Sequence, residues 1–184
     1  MQVLELSLKG LLVLQAQIFR DERGLFFESY RQSRFAEAGI DIEFTQDNIS
    51  FSKKNTLRGL HYQETPGQAK LVTVVHGSIW DVAVDIRPGS PTYGQWAGVE
   101  LNDENFKQFF IPVGFAHGYC VLSDFARVQY KVSAPFDAAT ERTIAWNDPG
   151  LAVDWPVKNP ILSSRDRLAP PHKSCQLVRQ RAQR

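Results

Sequence analysis

The stretch Lys70–Arg87, KLVTVVHGSIWDVAVDIR in one-letter code, decides the fold class. It holds two runs rich in β-branched and apolar residues, Lys70–Val75 and Ile79–Arg87, separated by His76-Gly77-Ser78. Such runs about a glycine read as two strands joined by a tight turn. In the second run Trp80, Val82, Val84 and Ile86 share one face and Asp81, Asp85 and Arg87 the other, because side chains alternate along a strand. Arg87-Pro88-Gly89-Ser90-Pro91 then ends it.

Toward the N-terminus, Leu12, Leu14, Ala16 and Ile18 share one parity up to the polar turn Arg20-Asp21-Glu22-Arg23-Gly24, and Leu25–Tyr30 reads as a further strand. Ser33–Ala38, followed by Gly39, is the best helix candidate, with Ser33 as its N-cap residue and a length of only about two turns. Toward the C-terminus, Phe106–Ile111 and Tyr119–Leu122 flank Pro112-Val113-Gly114-Phe115-Ala116-His117-Gly118, a loop that delivers a histidine between two strands. Ala126, Val128, Tyr130 and Val132 alternate with Arg127, Gln129 and Lys131, which turns the Tyr130 ring inward. Beyond Trp146, the turn Asn147-Asp148-Pro149-Gly150 and Pro156, Pro160, Pro170 and Pro171 predict an irregular C-terminal cover. From about residue 175 the polar, basic tail is expected to fray. Short alternating strands and few helical periods predict an all-β sandwich or barrel with short helices.

A length of 184 residues predicts one domain spanning 1–184. The net charge of +1 exerts no general pull toward nucleic acid or membranes, so no partner of either kind is expected. Met1–Gly10 lacks the continuous apolar core of a signal peptide, no run approaches a membrane span, and Cys120 and Cys175 form no metal or redox spacing. A cytoplasmic location is the expectation.

Arg58-Gly59-Leu60-His61-Tyr62-Gln63, ahead of Lys70, is the densest cluster of candidate chemistry. A histidine held by a carboxylate can take a proton from carbon beside a ketone, although spacing alone fits a structural histidine equally well. Lys70 suits a developing enolate oxygen and Tyr130 suits proton return, yet singly a strand-edge lysine is solvated and an inward tyrosine is core. Arg23 and Arg58 are forked donors suited to phosphate, and Asp166 is either the carboxylate that orients a histidine or a turn cap. Metal chemistry is the minority reading. Pro112, Gly114 and His117 match the second cupin metal motif, but Gln63 stands where the first motif needs a second histidine.

Taken in order, these segments resemble the dTDP-4-dehydrorhamnose 3,5-epimerase family from about Val13 to Pro170. The resemblance rests on Phe19-Arg20-Asp21-Glu22-Arg23-Gly24, Gln46-Asp47-Asn48, Leu57-Arg58-Gly59-Leu60-His61, Lys70-Leu71-Val72, Asp81–Arg87 and Ile111-Pro112 with Gly114–Gly118. Tyr130-Lys131, Trp146-Asn147-Asp148-Pro149 and Ser163 with Asp166 extend it. It implies a cupin-type jelly roll, or double-stranded β-helix barrel, normally a homodimer, acting on a dTDP-activated 4-keto-6-deoxyhexose with no metal and no other cofactor. By position it implies His61 as base, Asp166 as its orienting carboxylate, Tyr130 as acid and Lys70 on the enolate. It likewise implies Arg23, Glu28, Gln46, Asn48, Arg58, His117, Glu141 and Arg165 as substrate contacts. Ala69 before the lysine and Arg165 in place of lysine depart from many relatives. Strict alternation also sets Arg58 and His61 on opposite strand faces unless Gly59 permits a bulge.

Overall fold

Alternating strands that must bury an inward face close here into two antiparallel sheets. The structure, a computed structural model, describes residues 1–172, so the expected frayed tail lies outside the described residues. Strands β1 (Gln2–Glu5), β2 (Leu12–Gln15), β3 (Phe19–Asp21) and β4 (Gly24–Phe26) precede helix α1 (Gln32–Glu37). There follow β5 (Gln46–Lys53), β6 (Leu57–Gln63), β7 (Lys70–His76), β8 (Ser78–Asp85), β9 (Trp96–Asn102), β10 (Lys107–Ile111), β11 (Phe115–Val121), β12 (Phe125–Val132), β13 (Glu141–Thr143) and helix α2 (Ser164–Arg167). One sheet has the order β1-β2-β10-β7-β12-β5, the facing one β13-β6-β11-β8-β9, and β3-β4 is a separate hairpin. Successive strands passing between two facing antiparallel sheets make the all-β jelly roll that the sequence pattern predicts.

Three apolar clusters follow from the pleat. Val72, Val74, Ile79, Ala83, Phe109, Phe115, Tyr119, Ala126 and Val128 fill the space between the sheets. Leu57, Leu60, Val82, Val84, Ala116 and Cys120 point outward from the five-stranded sheet and are covered by Ile144, Leu151 and Trp155 of the irregular C-terminal segment. Leu14, Leu71 and Phe110 leave the other sheet toward Phe35 of α1 and Ile40. The five-stranded sheet is therefore covered on both faces, whereas the six-stranded sheet is covered on its outer face only around Leu14, Leu71 and Phe110 and stays exposed over β5, β12 and the far end of β7.

The double covering corrects the reading of Lys70–Arg87. Strands β7 and β8 do not pair with each other, because Gly77 carries the chain from one sheet to the other. The apolar face of Trp80, Val82 and Val84 lies under the C-terminal cover, while Asp81, on the polar side, points into the barrel with Ile79 and Ala83.

Other expectations need adjustment. His117 sits within β11, paired with Ala83 of β8, and only Pro112–Gly114 remains a loop. Strand β4 stops at Phe26, and the following residues to Arg31 join no sheet. Helix α1 starts at Gln32 after Arg31, whose side chain makes no cap, so Ser33 is inside the helix; the buried Phe35 holds the element down where capping does not.

Strand β6 resolves the conflict over Arg58 and His61. Against β11, His61 is opposite His117 and Arg58 is opposite Tyr119, so three steps on β6 match two on β11. The extra residue is a bulge, and it returns Arg58 and His61 to the same inward side. Gly59 permits it, with φ +121, and a β carbon there would lie 2.5 Å from Gly118 Cα and 2.7 Å from the His117 carbonyl oxygen. Gly59→Ala is expected to lower stability by about 2 to 4 kcal/mol through backbone strain and overpacking, measurable by urea unfolding.

Candidate active site

The polar half of the barrel interior is a cavity of about 390 Å³. The six-stranded sheet contributes Gln46, Asn48 and Ser50 from β5, Lys70 from β7 and Tyr130 from β12. The facing sheet contributes Arg58 and His61 from β6, His117 and Tyr119 from β11 and Glu141 from β13. Histidine and tyrosine candidates thus approach one space from opposite sheets.

His61 Nε2 lies 2.5 Å from Asp166 Oδ1. Asp166 is buried and fixed in turn, since the Ser163 hydroxyl donates to its Oδ2 at 2.8 Å and its own backbone N–H donates back to Ser163 Oγ at 3.0 Å. Ser163 is the N-cap of α2, so a short helix start places the carboxylate behind the histidine. Burial alone would raise the Asp166 pKa, but the hydrogen bonds from His61 and Ser163 and the charge of Arg165 outweigh it and hold the carboxyl below its ordinary value. The carboxylate is ionised at neutral pH.

Lys70 continues the inward face of Val72 and Val74, which buries its ammonium. Burial pulls its pKa down to about 8, opposed by the charges of Glu141 and Asp81. Burial also raises the Tyr130 phenol, with Tyr119 and Glu141 adding to the effect and Arg58 opposing it. A phenol so placed keeps its proton at neutral pH and is a competent donor. Arg58 Nε donates to Ser52 Oγ at 3.0 Å, which aims the guanidinium, and Gln46 Nε2 donates to Asn48 Oδ1 at 2.8 Å.

Three sequence candidates stand elsewhere. Arg23, in the β3-β4 turn, is 85% exposed and paired with Asp21 at 2.6 Å. Glu28 is bonded to Arg31 and Arg34 and lines a separate surface groove. Arg165 sits at the rim, paired with Glu141. None of these three lines the cavity. Sequence reasoning in turn missed Ser50, Tyr119 and Asp81. Ser50 continues the parity of Gln46 and Asn48, and Tyr119 that of His117, so strand periodicity contained the signal. The inward Asp81 was hidden because the apolar side of β8 looked like the interior.

Gln63 spends its side chain on the 135–137 segment, donating to the Pro135 carbonyl and accepting from the Asp137 N–H. Among the described residues no three His, Cys, Asp or Glu side chains are grouped as metal ligands. A base held by a carboxylate, a buried cation and a protonated phenol are instead the parts needed to move a proton at carbon beside a carbonyl.

Two facing sheets around such a cavity place the molecule among the cupin-type barrels that work on small ligands. Comparison with known proteins narrows this. The chain belongs to the dTDP-4-dehydrorhamnose 3,5-epimerase family, whose model matches residues 5–174. It is 50% identical over 168 residues to the dTDP-4-dehydrorhamnose 3,5-epimerase of Shigella flexneri, covering 90% of this chain and 93% of that protein. A crystal structure of the Legionella pneumophila dTDP-6-deoxy-D-glucose-3,5-epimerase in complex with dTDP-4-keto-L-rhamnose superposes with a TM-score of 0.91 at 45% identity, over 96% of this chain and 94% of that one. A dTDP-4-dehydrorhamnose 3-epimerase from Streptomyces niveus is 39% identical over 192 residues, covering 97% of this chain and 93% of that protein.

Lys70 generates a direct prediction. Lysine side-chain NMR is expected to show one amine titrating near the depressed value of about 8, charged below it and neutral above it, and Lys70→Met is expected to remove that transition.

Proposed function

We propose that this protein epimerises dTDP-4-dehydro-6-deoxy-D-glucose at C3 and C5 to give dTDP-4-dehydro-L-rhamnose, the epimerisation step of dTDP-L-rhamnose biosynthesis. The observation that carries the reading is the His61–Asp166 pair and Tyr130 reaching one cavity from opposite sheets, beside buried Lys70. Removal of a proton from one face of a sugar carbon and its return to the other requires a base and an acid placed across the ring.

With His61 donating Nε2–H to Asp166, the Nδ1 lone pair is the base. The C–H bond at C5 or C3 breaks, its electron pair becomes the enolate C=C, and charge collects on the C4 oxygen, where the Lys70 ammonium stabilises it. Tyr130 then protonates the carbon from the opposite face and the ketone re-forms. The phenolate takes a proton from solvent and His61 releases one to it, so each cycle is redox-neutral and calls for no cofactor. Arg58 suits the diphosphate; Gln46, Asn48, His117 and Glu141 suit the sugar and nucleoside; and Arg165 supports Glu141 from the rim. Binding through the diphosphate anchors the reacting ring and lowers the entropic cost of orientation.

Turnover in deuterium oxide is expected to place deuterium at C3 and C5, read by NMR, and exchange at neither carbon overturns the reading. Exchange at one carbon alone, C3 or C5, selects the second reading, a mono-epimerase of another dTDP-4-keto-deoxysugar, and the likeness to the Streptomyces niveus 3-epimerase favours C3 within it. His61→Ala is expected to reduce kcat about a hundred- to ten-thousand-fold with ligand affinity retained. A variant turning over at the wild-type rate removes His61 from the role of base.

A homodimer belongs to the same proposal, and so does a cytoplasmic location, since a nucleoside diphosphate does not cross a bilayer unaided. No helix among the described residues is long and apolar enough to cross a membrane. Ile49, Phe51, Val75 and Phe125 form an exposed apolar patch on β5, β7 and β12, with the Phe51 and Phe125 rings 5.3 Å apart. Phe19, Leu25 and Phe26 are exposed on the β3-β4 hairpin that bears Arg23. Burial of these faces against a second copy gives Arg23 and Glu28 a route to the partner's cavity. Sedimentation equilibrium is expected to return twice the 20.9 kDa chain mass, and Phe51→Glu is expected to shift it toward one; a wild-type monomer overturns the dimer.

A further inference from the structure

Asp81 is wholly buried inside the barrel, and the roles assigned above leave it unused. It lies on β8 opposite Tyr119 of β11, one diagonal step from His117, which pairs with Ala83. Its Oδ1 is 2.5 Å from His117 Nε2. Its Oδ2 has no hydrogen-bond partner among the described residues. A half-satisfied carboxylate in a barrel interior is costly, and such a group persists where its charge has a task. His117 itself lines the cavity and is directly opposite His61 on the neighbouring strand.

We propose that Asp81 is a positioning residue for the enolate side of the cavity: Oδ1 fixes the His117 ring with Nε2–H turned away from the ligand, and the carboxylate with its unpartnered Oδ2 stands on the inward face of the sheet opposite buried Lys70, where its charge acts on that ammonium. The consequence for catalysis rests on the epimerase reading above; the two electrostatic effects do not. Bonding through Nε2 leaves Nδ1 as the ring nitrogen that meets substrate. Burial disfavours the Lys70 ammonium, and Asp81 and Glu141 are the charges that oppose it. Besides Lys70, the charged and titratable groups that line this cavity are Glu141 on β13, Arg58, His61 and Tyr62 on β6, His117 and Tyr119 on β11, and Tyr130 on β12, while Asp81 on β8 stands behind His117. Strand β10, paired with the Lys70 end of β7, contributes apolar Ile111 there. Removal of Asp81 takes one of the two opposing charges away.

Asp81→Asn, which preserves shape, tests this on the full chain. Lysine NMR of the variant is expected to show the Lys70 titration moved below its wild-type value of about 8. With dTDP-4-dehydro-6-deoxy-D-glucose, kcat is expected to fall about 10- to 100-fold with KM changed less than about threefold, and the alkaline limb of the kcat profile to move in the same direction. An unmoved lysine titration, or an unmoved limb at full kcat, overturns the proposal. Should Asp81→Asn not fold, imidazole nitrogen NMR of the wild-type protein decides: a proton on His117 Nε2 supports the proposal and a proton on Nδ1 alone overturns it. Neither NMR measurement needs turnover, so absence of epimerisation overturns the reaction while leaving Asp81 to be judged separately.

Discussion

The close backbone approach of Gly59 on β6 to Gly118 on β11 is the contact on which the interior arrangement depends. A strand that kept strict alternation would turn either Arg58 or His61 out of the barrel. One extra residue in β6 turns both inward, and it fits only because neither strand carries a β carbon at the crossing. Leu60 meanwhile remains buried under the C-terminal cover, so the bulge re-aims polar side chains without loss of apolar packing.

With those residues inside, the barrel divides into an apolar part and a polar part. The same strands supply both: β7 runs from Val74 through Val72 to Lys70, and β12 from Val128 to Tyr130. The apolar part provides the folding energy and the rigidity of the frame. The polar part inherits its low dielectric, which depresses the lysine, raises the phenol and makes each carboxylate count for more than it would in water. Asp166 and Asp81 consequently each serve one histidine, on adjacent strands.

Covering segments matter as much as strands. Asp166 arrives on a helix of only four residues at the far end of the described chain, held by its own N-cap, and the tryptophan-rich segment before it seals the outer face of the five-stranded sheet. Arg23 and Glu28 behave differently. Their short hairpin and the stretch after it stand outside the barrel, and both side chains find partners among their immediate neighbours.

Sequence by itself determined the strand-rich class, the inward direction of Tyr130 and the candidates His61, Lys70 and Asp166, because period-two alternation and ordered motifs are local properties, while Asn48 and Glu141 came only from the family resemblance. Tertiary structure alone decided which sheet each strand joins. Gly77 looks like a hairpin turn in isolation, yet it is a crossover, since a turn's local geometry does not specify which strands its neighbours pair with. The inward face of β8 was equally beyond the sequence: both faces of that strand are buried, and hydrophobicity distinguishes buried from exposed, not one buried side from the other. That is why Asp81 was passed over while His117, its partner, was found. The same limit governs Arg23 and Glu28: their motif is plain in the chain, yet both stand outside the cavity, because a local motif does not specify where its hairpin sits against the barrel.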